Sequence, residues 1–254
     1  MNSQSFPPPQ RVPTSAPKPR VLILGPGLLG ASLALALQQR GLAADLRVWA
    51  RREDAARQVL RHRIAPFATS DLQQAAHEAD LAILCTPVGA MPELARALSG
   101  LLPTRALVTD VGSVKSATVD TLAAILSHGP HFVGSHPMAG SEKSGLEAAR
   151  ADLFDNALCF VTPAAGSPTE ATATLLAFWQ NLGCRVRVAT PSEHDAIVAA
   201  VSHLPQILAS SLIAFIAGLY PEYSSLCGNG LRDTTRIASS SPDIWTEILR
   251  ANGT

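Results

Sequence analysis

The succession that most constrains this chain is Arg20-Val21-Leu22-Ile23-Leu24, then Gly25-Pro26-Gly27-Leu28-Leu29-Gly30, then Ala31-Ser32-Leu33-Ala34-Leu35-Ala36-Leu37. The first run is aliphatic throughout, as strands buried on both faces of a parallel sheet are. The last is a run of small and aliphatic residues that reads as a close-packed helix. Between them stands GxGxxG in the strand–turn–helix context that gives the motif its meaning. Gly25 permits the turn, Gly27 lets a pyrophosphate approach the backbone, and Gly30 lets helix and strand pack closely. The free N–H groups at Leu28 and Leu29 and the helix dipole then face the phosphates. The expectation is a dinucleotide site.

A second strand, Asp45-Leu46-Arg47-Val48-Trp49, follows. An NAD-preferring site usually carries Asp or Glu at its end, on the ribose 2′-hydroxyl. Here the chain reads Ala50-Arg51-Arg52, which offers two guanidiniums to a 2′-phosphate. The reading favours NADP, with NAD still open because Glu53 or Asp54 is near enough to reach a ribose. The alternative is a solvated helix start.

Strands and helices go on alternating. Further strands are expected at Asp80–Cys85, Ala106–Asp110, His131–Gly134 and Ala157–Val161. Helices are expected at Asp54–Arg63, Met91–Ser99, Ser116–Ser127 and Thr169–Leu182. This pattern predicts a doubly wound sheet. Thr86-Pro87 then forms a turn over the cofactor, and Asp110 closes the fourth strand beside it. Ser113 and His136 sit at strand ends around the same crevice. His136 opens a loop running to Gly145, and an imidazole near neutrality is a natural general base. Ser113 is placed to hydrogen-bond and orient it. Lys115 reads as a helix-start charge, and an incidental surface histidine is the plainer account of His136.

Composition narrows the classes. With 47% hydrophobic and 16% charged residues the chain has enough apolar material for a large core. Twenty basic and twenty acidic residues cancel, so no net charge favours nucleic acid or an anionic membrane. Cys85, Cys159, Cys184 and Cys227 show no metal-ligand spacing, so no metal is expected, and core thiols suit a reducing cytoplasm. The first nineteen residues are rich in proline and lack an apolar segment, which reads as a flexible tail rather than a signal peptide. No run reads as a membrane span.

From Pro191 the alternation stops. Ser192–Leu219 reads as one long apolar helix that opens at Thr190-Pro191-Ser192-Glu193. On a straight helix His203 and Gln206 share a face while His194 falls opposite, so a single site is expected to use His203 and not both histidines. Pro205 is expected to kink the helix there. After Gly228-Asn229-Gly230 come Arg232 and Arg236, one turn apart: a carboxylate clamp or two surface charges. A last helix, starting at Ser241-Pro242-Asp243, carries Trp245.

Six segments together resemble the prephenate/arogenate dehydrogenase family of tyrosine biosynthesis. They are Gly25–Gly30, Asp110–Lys115, Ser135–Gly145, Ser202-His203-Leu204-Pro205, Arg232–Ala238 and Pro242-Asp243-Ile244-Trp245. The resemblance covers Val21 to the C-terminus. It implies a Rossmann-type sheet over residues 20–190, a smaller all-helical substrate and dimerisation domain over 191–254, and a homodimer formed through the latter. The implied reaction is an oxidative decarboxylation of a cyclohexadienol, prephenate or arogenate. Hydride leaves C4 for the nicotinamide, the 4-hydroxyl loses its proton, and the ring carboxylate leaves as carbon dioxide. By motif, His136 is similar to the residue that hydrogen-bonds the 4-hydroxyl, with Ser113 supporting it, and Arg236 to the main carboxylate clamp. His203, Ser141 and Trp245 match substrate-pocket residues, to which Gln206 and Arg232 are joined.

The sequence departs from the family in three places. Many relatives carry a second histidine where Gln206 stands, which tilts the substrate towards arogenate. The acidic residue after the second strand is missing, and the family's helical domain runs on beyond the point where this sequence stops. Two other readings compete. A β-hydroxyacid dehydrogenase would need a catalytic lysine in Ser192–Leu219, which has none. A non-catalytic NADP-binding sensor would tolerate the loss of His136.

Overall fold

The computed structural model describes residues 17–141, 143–219 and 226–253. Its sheet-forming part runs β1 (Arg20–Leu24), α1 (Leu28–Arg40), β2 (Asp45–Trp49), α2 (Glu53–Arg61), β3 (Phe67–Thr69), α3 (Leu72–Ala76), β4 (Leu81–Leu84), α4 (Met91–Ser99) and β5 (Leu107–Asp110). It continues through α5 (Ser116–Ile125), β6 (His131–Pro137), β7 (Leu158–Pro163), α6 (Thr169–Asn181) and β8 (Arg185–Val188). The strands form one sheet in the order β3-β2-β1-β4-β5-β6-β7-β8. Strands β1 to β6 are mutually parallel, β7 runs antiparallel to β6, and β8 is parallel to β7.

Strand β1 shows why the sheet is covered on both sides. Alternate side chains point to opposite faces. Val21 and Ile23 enter a core with α1 and α6, and Leu22 and Leu24 a second core with α3, α4 and α5. A strand that must bury both faces has no position for a polar residue, hence the continuous aliphatic run. The two strands the sequence pattern does not announce have evident reasons. Phe67–Thr69 is only three residues long. Arg185-Val186-Arg187-Val188 is an edge strand whose last two residues are exposed.

The helical part follows as α7 (Pro191–Val198), α8 (Leu204–Leu219), α9 (Asn229–Thr235) and α10 (Pro242–Ala251). Thr190 caps α7, its hydroxyl accepting the Glu193 N–H at 3.1 Å, with Pro191 at the first turn. The expected single helix is in fact two, joined by a π turn at Ala199–His203. Pro205 has no N–H to give the carbonyl four residues back and its ring crowds that carbonyl, so the preceding turn widens. Contrary to the sequence reading, Pro191–Leu219 is long and apolar enough to cross a membrane by length and composition. Its first half is nevertheless anchored on the sheet domain through His194, Asp195 and Val198, all buried, which leaves the exposed apolar face to α8.

Candidate functional site

The strand order reverses between β1 and β4, and the crevice lies beyond their carboxyl ends. Gly25 sits at φ +102°, where a side chain is strained, and a Cβ there would lie 2.9 Å from the Cys85 carbonyl oxygen. At Gly30 an added Cβ would stand 2.0 Å from the Gly25 carbonyl oxygen, so α1 packs against its own turn only without one. Gly27 has nothing within 4 Å of such a position and faces open space. Leu28 and Leu29 open α1, lean on the core, and leave their N–H groups at the helix start.

A cavity of about 630 Å³ extends from this turn, lined by Gly25, Pro26, Gly27, Arg51, Thr86 and Pro87 among others. Arg52 also lines it. The Thr86 hydroxyl is buried and has no hydrogen-bond partner among the described residues, as expected of a group meant for a ligand. A glycine cradle, a helix start, two guanidiniums and an unpaired hydroxyl together fit a nicotinamide dinucleotide. The nearby carboxylates have partners: Glu53 accepts from the Ser70 hydroxyl at 2.7 Å, and Asp54 from Arg52 itself at 3.2 Å, so that guanidinium is shared with a carboxylate.

Asp110, expected among the cofactor residues, is not among the residues that line this cavity. It is fully buried, and its carboxylate is taken up by the N–H groups of Gly112 (2.8 Å) and Ser135 (3.1 Å) and by the Lys115 ammonium. Lys115 is no helix-start charge either. It is fully buried and also donates to the Ser135 carbonyl at 3.0 Å. The Ser135 hydroxyl donates to the Asp110 carbonyl at 2.6 Å and pairs with Thr109 at 2.9 Å. This network locks the ends of β5 and β6 together and so sets the backbone of the next residue, His136.

His136 lies inside β6, opposite Phe160 of β7, and is 8% exposed. The expected bond from Ser113 is absent among the described residues. Instead, His136 Nδ1 meets His194 Nε2 at 2.9 Å, and His194 Nδ1 meets Asp195 at 2.8 Å. Asp195 also accepts the N–H groups of Lys115 (2.7 Å) and Ser116 (2.8 Å), which makes it the cap of α5 from a distant helix. Burial, then the neighbouring His194, Lys115 and His203, push the His136 pKa well below its ordinary value, with Asp195 opposing. His136 is therefore neutral, with a lone pair to offer. Burial alone would raise the Asp195 carboxyl, but hydrogen bonds from His194, Ser116 and Lys115 outweigh it and hold the pKa at about 2.

The straight-helix projection that set His194 opposite His203 does not hold, because the helix is not straight. Nine residues separate His194 from His203, about half a turn out of phase on an ideal helix. The π turn inserts an extra residue per turn, which slips the phase by roughly 100° and swings His203 back towards the His194 side. His203 is 4% exposed and packs edge-on to Trp245 with ring centres 5.9 Å apart. Its Nδ1 accepts from the Asn252 amide at 3.1 Å, and the same amide donates to the Asp195 carbonyl at 3.1 Å. Asn252 thus ties α10 to the π turn. No local sequence signal marks that role.

The remaining candidates are more dispersed. Gln206 is buried and donates to Ser210 at 3.2 Å within its own helix. Ser141 is exposed and held in a local turn, accepting the Lys143 N–H at 3.1 Å. Arg236 is exposed and begins a short 3-10 turn packed on α8. Arg232 lines a separate cavity with Ile213, Ile216 and Cys227, roughly 15 Å along α8 from His203. Within one subunit the structure does not bring Arg232 to His136. Among the described residues no group of three or more His, Cys, Asp or Glu is arranged to hold a metal.

Comparison with known proteins places this geometry in context. The profile of the prephenate dehydrogenase nucleotide-binding domain matches residues 33–188, and that of the prephenate dehydrogenase dimerization domain matches residues 190–254. A cyclohexadienyl dehydrogenase of Zymomonas mobilis is 33% identical over 91% of this chain and 80% of its own length. A prephenate dehydrogenase of Bacillus subtilis is 35% identical over 92% of this chain, which spans 64% of that protein. Among solved structures, the A. aeolicus prephenate dehydrogenase in complex with hydroxyphenyl propionate and NAD+ superposes with a TM-score of 0.87 at 31% identity. That match covers 94% of this chain and 85% of the other.

Proposed function

The chain belongs to the prephenate dehydrogenase family of nicotinamide-dependent oxidoreductases, and from that premise we propose that it oxidatively decarboxylates arogenate, or prephenate, with NADP. The observation that carries the reading is a neutral, buried His136 near the carboxyl end of β6, hydrogen-bonded to His194 and with His203 among its electrostatic neighbours. His136 accepts the hydrogen bond of the substrate's 4-hydroxyl, takes its proton as hydride loss turns C4–O into a carbonyl, and returns it to that oxygen when loss of carbon dioxide aromatises the ring to a phenol. A bound nicotinamide ring supplies the acceptor for the C4 hydride. Arg236 holds a substrate carboxylate, while His203 and Trp245 shape the pocket. Departure of the ring carboxylate as carbon dioxide aromatises the ring, so the protein has chiefly to orient and polarise.

Two finer choices rest on particular residues. Arg51 and Arg52 line the cavity beyond β2, Glu53 is bonded to Ser70, and Asp54 offsets only Arg52, which favours a 2′-phosphate and hence NADP. Gln206 in place of a histidine favours arogenate. The exposed apolar residues of α8, Leu204, Leu208 and Phe215 among them, are the surface through which two copies pair. Absorbance at 340 nm, with prephenate and arogenate each crossed with NAD and NADP, tests the reading. Turnover is expected with arogenate and NADP. His136→Ala should lower kcat by ~10²–10⁴; a near-normal kcat would remove His136 from its role.

A further inference from the structure

Asp195, His194 and His136 form one hydrogen-bonded line, and the chemistry of its first member dictates the proton positions along the rest. The carboxylate of Asp195 can only accept, and both its oxygens already do so from Lys115 and Ser116. The proton of the 2.8 Å bond therefore sits on His194 Nδ1. His194 is fully buried, and a ring with its single proton on Nδ1 presents Nε2 as a bare acceptor. The 2.9 Å contact to His136 Nδ1 is then a bond only if that nitrogen carries the proton. His136 Nε2 is left unprotonated.

We propose that His194 and Asp195 are positioning residues that set the tautomer of His136, holding its Nε2 lone pair ready for the substrate hydroxyl. This rests on the reading of His136 as the proton acceptor. As His136 gains a proton at Nε2, its Nδ1–H bond to His194 strengthens, and the positive charge is stabilised through His194 by the Asp195 carboxylate. The other groups facing this line are Lys115 with its Asp110 partner, His203, and the Cys159 thiol on β7. Lys115 is neutralised by Asp110, and His203 is held off protonation by burial, so neither competes for the His136 proton. The edge of Phe160 packs against His194 with ring centres 5.1 Å apart and restrains its tilt.

A purely packing role for His194 would leave the His136 tautomer free, and that difference is measurable. Ring 15N shifts of the intact protein near pH 8 are expected to show His136 protonated at Nδ1 and bare at Nε2. His194→Gln keeps a carbonyl to accept from His136 and an amide to donate to Asp195, so its kcat should stay within about tenfold of the parent. His194→Phe keeps the ring but neither bond, and should lose ~10²-fold or more in kcat with the cofactor KM unchanged and mixed His136 tautomers. A protonated His136 Nε2 in the parent protein, or a His194→Phe kcat within about twofold of it, would overturn the proposal. If His194→Phe does not fold, the parent spectrum alone decides. A bare Nε2 together with an active His136→Ala would uphold the tautomer and sink only the role given to His136.

Discussion

Helices α1 and α8 look alike as text, both runs of Leu, Ala and Ile or Ser with few charges, yet they meet opposite fates. Helix α1 buries seven of its thirteen residues against the sheet. Helix α8 buries only Gln206 and Ala209 of its sixteen and leaves Leu204, Leu208 and Phe215 in the open. Polar groups show the reverse contrast. The sheet region encloses a complete ion pair, Asp110–Lys115, whereas the charges of the helical region, Arg232 and Arg236, are exposed. Apolar composition thus says that a surface must be covered, and only a neighbour says by what. In α1 the neighbour is the same chain. For α8 the neighbour we propose is a second copy.

The sharpest way to break this contrast is to attack the buried pair. Lys115→Met leaves the Asp110 carboxylate enclosed and uncompensated, and should cost about 3–5 kcal/mol in urea unfolding. A loss below about 1 kcal/mol would mean that the pair is not what joins β5 to β6. Next comes the junction between the regions, where Asp195 of α7 caps α5. A carboxyl whose folded pKa is depressed to about 2, from an ordinary ~3.9, stabilises the fold above pH ~4 and loses that contribution as pH falls towards 2. Acid titration of stability should show a limb of about 2 kcal/mol in that window, absent in Asp195→Asn. An unchanged limb in the variant would assign it to other groups.

Smaller effects probe each region's surface. Arg51→Ala with Arg52→Ala should raise KM for NADP roughly tenfold while KM for NAD moves little, since only the former carries a 2′-phosphate. Equal changes would exclude that contact. The mildest substitution for the subunit itself is Phe215→Glu on the exposed face of α8. Stability at dilute concentration should shift by no more than about 0.5 kcal/mol. Light scattering should nevertheless show a single chain where the parent shows two. A Phe215→Glu protein that remains paired would move the interface elsewhere.

Legibility in the sequence followed the range of the interactions. The cradle at Gly25–Gly30 was plain because its constraints act between residues a few positions apart. Strand β1 leads into it, and the Gly25 carbonyl itself excludes a Cβ at Gly30. The motif at His136 pointed to chemistry, but its partner was mistaken. Ser113 is twenty-three residues away, whereas the partner found in space, His194, is fifty-eight residues away. Asp110 and Lys115 looked like a cofactor contact and a helix-start charge because charged residues are seldom fully buried, and only the folded chain shows each to be the other's compensation.

The sequence by itself determined six of the eight strands and the helices between most of them, the dinucleotide turn and the presence of a long apolar helical segment, since these follow from local periodicity and the steric freedom of glycine. Tertiary structure decided which histidine faces which. Pro205 removes one hydrogen bond, the turn before it widens, and the resulting slip in phase carries His203 towards the side where His194 meets His136. A straight-helix projection cannot contain that slip, because it depends on how the widened turn is held: by Asn252 from the last helix and by Asp195 against the first turn of α5.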